Sequence, residues 1–142
     1  MKKIICLLAV VLMITSVAYA QKKAGITAGD LAGMKGTWTG TISFGAFEGA
    51  SSACTLEILS DAAPVKAKLT VHQVPDALAS RLGIMGGQNV MESDNGTLTT
   101  QGTIMFMGSA QGFLEISKAA DKKIRLNYWF RGLKGDGRLT KK

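Results

Sequence analysis

Few side chains in this sequence are of the types that carry out catalysis or bind metals. After residue 20 the chain has one histidine, His72, and one cysteine, Cys54. Cys54 alternates in phase with the apolar Leu56, whereas His72 alternates in phase with Lys66 and Lys68, so the two side chains are expected on opposite faces of a sheet. The spacings CxxC, HxxxH and HExxH are absent. The sequence therefore predicts no catalytic residue, no metal site and no cofactor, and hence not an enzyme.

Basic residues are concentrated at the end of the chain. Residues 118–142 contain nine Lys or Arg against Asp121 and Asp136, whereas residues 21–117 contain six against eight acids. Alternation over residues 123–131 turns a tryptophan and two arginines towards solvent, which suits an anionic and partly apolar partner. Ordinary protection of strand edges by Lys and Arg would explain the same charges without a ligand. The candidate residues for an anionic surface are Arg125, Trp129, Arg131, Lys134 and Arg138.

The elements that must position these residues are short strands. Apolar and polar residues alternate with a period of two over most of the chain, which is typical of half-buried strands. Strands are predicted over about 37–44, 53–58, 65–72, 88–92, 97–107, 111–118, 123–131 and 133–140. Residues 60–64 have turn composition, and Asn95-Gly96 within residues 93–96 predicts a type I′ hairpin turn. One short helix is predicted over 75–82. The fold class is all-β, an antiparallel up-and-down barrel of about eight strands, with a β-sandwich as the alternative.

The inward face of such a barrel gives a second hypothesis for binding. An eight-stranded barrel is either filled by side chains or holds one small ligand. Gly40, Gly102 and Gly112 have inward phase and would leave room, although a filled core with glycines at bends explains them as well. The candidate ligand-binding residues of the interior are Trp38, Phe44, Phe106 and Tyr128. The candidate lid residues, in and after the helix, are Leu78, Leu82 and Met85.

The start of the first strand, Gly36-Thr37-Trp38, resembles the calycin superfamily of lipocalins, fatty-acid-binding proteins and avidins. The resemblance implies a barrel in which the tryptophan closes one end and an arginine of the last strand lies across it. Arg131 and Arg138 are both candidates for that arginine. The residues after Trp38 lack the polar set with which avidins hold biotin, so biotin is not expected as a ligand.

The first twenty residues are typical of a bacterial signal peptide. Two lysines precede an apolar stretch that is too short to span a bilayer comfortably, and Ala18-Tyr19-Ala20 is a small-x-small cleavage pattern. We expect a signal peptide over 1–20, a flexible leader over 21–34 and a single barrel domain over 35–142. No transmembrane segment is expected after signal removal, and the location is the periplasm or the exterior. The sequence leaves open the oligomeric state and whether Cys54 is free.

Two functions follow as expectations. The first is an exported, non-catalytic binding protein for a small apolar or amphipathic ligand inside the barrel. The alternative is a cell-envelope interaction protein that binds an anionic lipid, a lipopolysaccharide or a glycan through the basic, aromatic C-terminal hairpin. Nucleic acid is not favoured as a partner.

Overall fold

A computed structural model describes residues 25–45, 50–74, 76–83, 87–108 and 112–142 of the chain. The expected signal peptide, the candidate lid residue Met85 and the side chain of Leu82 lie outside the described residues. Eight strands follow one another along the chain: β1 (Gly36–Phe44), β2 (Ser51–Ile58), β3 (Val65–Val71), β4 (Asn89–Leu98), β5 (Thr103–Met107), β6 (Gly112–Ala120), β7 (Lys123–Phe130) and β8 (Leu133–Lys141). Two short α-helices, α1 (Leu31–Met34) and α2 (Asp76–Leu82), and a 3-10 turn (Ala28–Asp30) directly before α1 complete the described elements.

The strands close into one antiparallel barrel in chain order. Closure is made by β1, which pairs with β2 along one edge and with β8 along the other, so that Gly40 lies opposite both Cys54 and Leu139. A sandwich would leave these edges unpaired. The predicted fold class is therefore confirmed, and the β-sandwich alternative is wrong. No helix in the described part of the chain is long and apolar enough to cross a membrane.

Side chains fill the interior of the barrel. The apolar side chains that alternation predicts to point into the barrel do so. Seven of them, which come from most of the strands, are at most 1% exposed: Ile42, Leu56, Leu69, Ile104, Phe106, Leu114 and Leu126. A side chain that lined a water-sized void would retain exposed surface. The described middle of the barrel is therefore a packed core.

The glycines expected to open a cavity have other roles. A Cβ at Gly40 would overlap the carbonyl oxygen of Arg138, so glycine is needed where the β1 and β8 backbones approach. Gly102 lies in a turn with φ of 73°, and Gly112 lies beside the sulfur of Met91. The prediction that Gly40 and Gly102 leave room for a ligand is wrong, because backbone atoms occupy the space that a Cβ would take. At Gly112 a Cβ would make ordinary contacts, the nearest with Met91 at 3.4 Å.

The Asn95-Gly96 hairpin is also wrong. Strand β4 runs through this segment, with a register irregularity opposite β3 in which Val65 pairs with Gly96 and Ala67 with Ser93. The chain instead reverses over residues 99–102, where the amide of Gly102 donates to the carbonyl of Thr99. Gly96 is needed because a Cβ there would overlap the ring of Phe106. Its small size, rather than a positive φ angle, places glycine at this bend.

The leader is folded from Gly25 onward, which corrects the expectation of a flexible segment over 21–34 for its described part. Three apolar side chains, Ile26, Leu31 and Met34, are buried in the core cluster. The indole Nε1 of Trp38 donates to the carbonyl oxygen of Met34 at 2.8 Å. These contacts place the N-terminal segment over one end of the barrel, because its apolar side chains have no other surface on which to pack.

A local hydrogen-bond network fixes the start of this segment. Thr27 donates to Asp30 Oδ2 from its backbone amide at 2.8 Å and from its hydroxyl at 2.6 Å. These bonds, together with Lys118 Nζ at 3.2 Å from Asp30 Oδ1, lower the pKa of Asp30 to about 2. The carboxylate therefore stays ionised, joining the turn before α1 to strand β6.

The helix predicted over 75–82 is confirmed as α2, and it lies at the opposite end. Leu78 is fully buried in the core cluster. A Cβ at Gly83, just after α2, would lie 3.3 Å from the guanidinium of Arg131 in the turn between β7 and β8. The helix thus lies near the β7–β8 turn, whereas α1 lies near Trp38 and the last residues of β8.

Candidate anion-binding face

Strands β6, β7 and β8 align their outward residues in three rows, which together we call the basic face. The first row, called the aromatic row, pairs Phe113 with Trp129 and Trp129 with Lys134. The second row, called the middle row, contains Glu115, Asn127 and Asp136. The third row, called the cationic row, contains Ser117, Arg125 and Arg138. Successive rows are two residues apart along the strands, or about 6.6 Å. The basic face is therefore ordered from aromatic to cationic along the strand direction.

The cationic row brings two arginines together. Arg125 and Arg138 are direct cross-strand partners, and both side chains are exposed. Within the described residues neither has a carboxylate or hydrogen-bond partner. Like charges opposite each other on a sheet destabilise it, so this pair has no structural benefit of its own. Two guanidinium groups with open donors suit an oxyanion.

A groove of about 400 Å³ runs beside this pair. It is lined by the arginines, by Ser117 and Asn127, and by Lys134 and Asp136. Lys134 Nζ lies 3.5 Å from a carboxylate oxygen of Asp136, so these two charges offset each other at one side of the groove. The excess positive charge in the groove consequently belongs to Arg125 and Arg138.

The aromatic row lies at the other side of the same face. The rings of Phe113 and Trp129 are 4.9 Å apart between centroids and tilted by 58°. Lys134 Nζ lies 5.8 Å from the centre of the Trp129 ring, within the range of a cation–π contact. Met107, the cross-strand partner of Phe113 on β5, is 61% exposed and extends the apolar surface.

The middle row is polar. Asn127 Nδ2 donates to Glu115 Oε2 at 3.2 Å, and Asp136 is paired with Lys134 as described above. Carboxylate oxygens accept several hydrogen bonds at once, so Glu115 and Asp136 can still receive hydroxyl groups of a ligand. This row separates the cations from the aromatic rings by roughly 6.6 Å on each side.

The structure brings four of the five predicted anion-binding residues together and leaves one apart. Arg131 does not share the basic face, because its φ of 47° places it in the turn after β7, where the alternation ends. Its guanidinium lies 5.3 Å from the centre of the Phe130 ring, near α2. Sequence reasoning missed Phe113 and Asn127; their outward phase was readable, but their alignment with Trp129 and Arg125 depended on register.

The four interior candidates are all buried side chains, and they lie at different levels of the barrel. Trp38 lies at the α1 end, whereas Phe44 and Tyr128 both flank Gly135 near the α2 end. The Tyr128 hydroxyl accepts a hydrogen bond from Asn89 Nδ2 at 2.9 Å, and burial raises the pKa of Tyr128 to about 12. Among the candidate lid residues, the described Leu78 packs into the core rather than over an opening.

Neither arginine expected across Trp38 occupies that position. Lys141, near the end of β8, places its Nζ 5.8 Å from the centre of the Trp38 ring and donates to the carbonyl oxygen of Gly33 at 2.5 Å. Arg138 instead points outward, and Arg131 lies at the far end of β8. The contact implied by the resemblance is thus made by a lysine of the last strand.

Cys54 and His72 remain apart, as their alternation predicted. Burial raises the pKa of the Cys54 thiol to about 11, so it is a neutral core side chain at neutral pH. His72 Nε2 instead forms a 2.8 Å hydrogen bond with the hydroxyl of Thr55. Among the described residues no group of three or more His, Cys, Asp or Glu side chains could hold a metal ion.

Two other clefts are less suited to an anion. A groove of about 710 Å³ between β3 and β4 contains Lys68 and Glu92, which form a 3.0 Å ion pair. A cleft of about 340 Å³ beside Trp38 is lined by four lysines (Lys118, Lys122, Lys123 and Lys141) and by Asp30 and Asp121; Lys118 and Lys141 already contact Asp30 and the Gly33 carbonyl. In both clefts carboxylates offset part of the positive charge.

The fold and this face define a small closed β-barrel with a cationic and aromatic outer surface. No family model, curated protein or solved structure shows significant similarity to the chain. Function is therefore inferred from the side chains of the basic face.

Proposed function

We propose that this protein is an exported, non-catalytic binding protein of calycin-like architecture that holds an anionic component of the cell envelope on its basic face. Export follows from the signal-peptide pattern of residues 1–20. The barrel is the scaffold, and its rigid strands fix the spacing of the binding groups. The arginine pair binds the anion, and the aromatic row contacts an apolar part of the same partner.

One observation carries the proposal. Arg125 on β7 and Arg138 on the adjacent strand β8 face each other, and neither has a carboxylate partner among the described residues. Elsewhere on the barrel Lys68 faces Glu92, so cross-strand charges are matched where no ligand is proposed. An oxyanion between the two guanidinium groups would relieve their repulsion and accept charge-assisted hydrogen bonds from both.

The packing supports this surface over the interior. A ligand inside the barrel would have to displace side chains such as Phe106 and Leu126, which are fully buried. Opening that much space would require the loss of core packing, at a cost of several kcal/mol for each large side chain displaced. The outer groove needs no such rearrangement.

The test is a titration of the mature protein with methyl phosphate, followed by NMR of the arginine Nε–Hε groups. We expect saturable shifts at Arg125 and Arg138 that weaken as salt is raised, because exposed charges are screened. The double variant Arg125→Gln/Arg138→Gln should bind at least tenfold more weakly. The matched variant Lys35→Gln/Lys66→Gln removes two exposed charges outside the basic face and should bind as the wild type does.

Phosphate binding that survives the arginine double variant would refute the proposal. Equal losses in the two double variants would also refute it, because the effect would then follow net charge rather than this site. A double variant that is folded and unfolds at a midpoint no lower than that of the wild type shows that any loss is local.

A further inference from the structure

We infer that the ligand of the basic face is a single phosphorylated glycolipid that lies along the strands, with its phosphate on Arg125 and Arg138, its sugar over the middle row, and its alkyl chain on Met107, Phe113 and Trp129. This inference rests on the proposed function and names the ligand class. It is carried by the order of the three rows, in which cations, hydrogen-bonding groups and aromatic rings follow one another.

The spacing fits such a molecule. Arg125 and Trp129 are four residues apart on β7, which corresponds to roughly 13 Å along the strand. A phosphate, one sugar ring and the first methylenes of a chain span a similar length. The phosphate oxygens accept from both guanidinium groups, and the sugar hydroxyls donate to Glu115 and Asp136.

The middle row also distinguishes one lipid molecule from a membrane surface. An anionic bilayer presents negative charge over its whole area and would meet Glu115 and Asp136 as well as the arginines. These carboxylates would repel it, since like charges in contact are unfavourable. A single molecule with a neutral sugar between its phosphate and its chain instead presents hydroxyl donors to both carboxylates.

The aromatic row provides the apolar contact. Phe113 and Trp129 are packed against each other at 4.9 Å, and Met107 is their exposed neighbour. Lys134, above the Trp129 ring, borders the apolar surface and keeps it narrow. An apolar surface of three side chains suits one alkyl chain. It is far smaller than a protein–protein interface, which takes about 20–30 residues a side.

The experiment compares three probes that differ by one part each: octyl glucoside 6-phosphate, methyl glucoside 6-phosphate and octyl glucoside, all below micelle-forming concentrations. We expect the octyl phosphate to bind at least tenfold more tightly than the methyl phosphate, since each fully buried methylene contributes about fourfold. Octyl glucoside, which lacks the phosphate, should bind at least tenfold more weakly than its phosphate.

Variants assign the chain to the aromatic row. Phe113→Ala/Trp129→Ala should reduce the difference in affinity between octyl glucoside 6-phosphate and methyl glucoside 6-phosphate to less than twofold. The affinity for methyl glucoside 6-phosphate itself should be unchanged. The milder Met107→Ala removes an exposed side chain and should reduce the difference by about threefold. Leu59→Ala and Val90→Ala remove exposed apolar side chains outside the basic face and should leave it unchanged.

Fluorescence gives an independent readout on the two tryptophans. A bromine at the end of the octyl chain should quench Trp129, whereas Trp129→Phe should bind the probe with the emission of buried Trp38 unquenched. Quenching of Trp38 in that variant would overturn the inference, because the chain would then lie inside the barrel.

Two further outcomes separate this inference from the proposed function. If both phosphates bind through the arginine pair with equal affinity, the glycolipid inference fails and the anion site stands. If neither the phosphates nor phosphatidylglycerol vesicles bind, the proposed function fails. Binding to phosphatidylglycerol vesicles without binding of the monomeric probes would also refute the inference, in favour of a membrane surface.

Discussion

The arginine pair should make the barrel less stable than it could be, and Arg125→Glu tests this directly. In the folded protein Arg125 faces Arg138 across β7 and β8. Cross-strand side chains of this kind have Cβ atoms about 5 Å apart, and guanidinium charges that project in parallel at about the same separation would repel each other in water by about 0.8 kcal/mol. Removing the repulsion with glutamine should therefore raise the free energy of unfolding by about 0.5 kcal/mol. Glutamate, which adds an attraction, should raise it by about 1 kcal/mol.

The assays are urea unfolding and thermal unfolding of the mature wild type, Arg125→Gln and Arg125→Glu at low ionic strength. We expect the order glutamate, glutamine, wild type from most to least stable, with the glutamate variant melting about 4 °C higher than the wild type. In about 1 M salt, where the Debye length falls to about 3 Å, the three should converge. The same two variants should lose phosphate binding.

Lys68 provides a control of opposite sign. It faces Glu92 on β4 and forms a 3.0 Å ion pair, so Lys68→Gln should lower stability slightly rather than raise it. If Arg125→Glu is less stable than the wild type at low salt, the two guanidinium groups do not repel each other, and the argument for an anion site loses its energetic basis.

Two further predictions concern the fold. Gly96→Ala should lower the free energy of unfolding by about 1–3 kcal/mol in urea titrations, because the added Cβ overlaps both the Phe106 ring and the carbonyl oxygen of Val65. Phe106→Leu should recover the part of that loss that the ring causes, and no recovery would exclude the ring contact as a cause. Asp30 has a folded pKa of about 2, below its unfolded value of 3.8, so its contribution is present above about pH 4 and lost as the pH falls through 2. Asp30→Asn should therefore be less stable than the wild type in thermal unfolding at pH 7 and equally stable near pH 1.5. A difference in stability that persists near pH 1.5 would show that the carboxylate charge is not responsible.

The sequence alone determined six of the eight strands to within two residues at each end, together with their inner and outer faces, whereas the strands predicted over 88–92 and 97–107 differ from β4 and β5. Alternation placed Ile42, Leu56 and Leu126 inside and Arg125 and Trp129 outside, and the structure agrees at each position. This succeeds because successive side chains of any strand point to opposite faces, whatever that strand pairs with. The short helix, now α2, was also readable from its local composition.

Local signals failed where tertiary contacts changed their meaning. The sequence pattern at Asn95-Gly96 fits a hairpin turn, but a glycine is equally suited to a bend on which the Phe106 ring packs. The leader looked flexible because its residues are mostly small or polar and include glycines, although Leu31 and Met34 lie within it. They become buried only when the barrel end exists to receive them.

Register, and with it the binding face, was decided by the tertiary structure. The pairing of Arg125 with Arg138 depends on the turn at residues 131–132, and that of Gly40 with Leu139 depends on closure between strands nearly a hundred residues apart. Alternation fixes which face a side chain occupies but is unchanged by sliding one strand two residues past its neighbour. The sequence therefore determined that these arginines face solvent, and only the register set by the turn between β7 and β8 decided that they face each other.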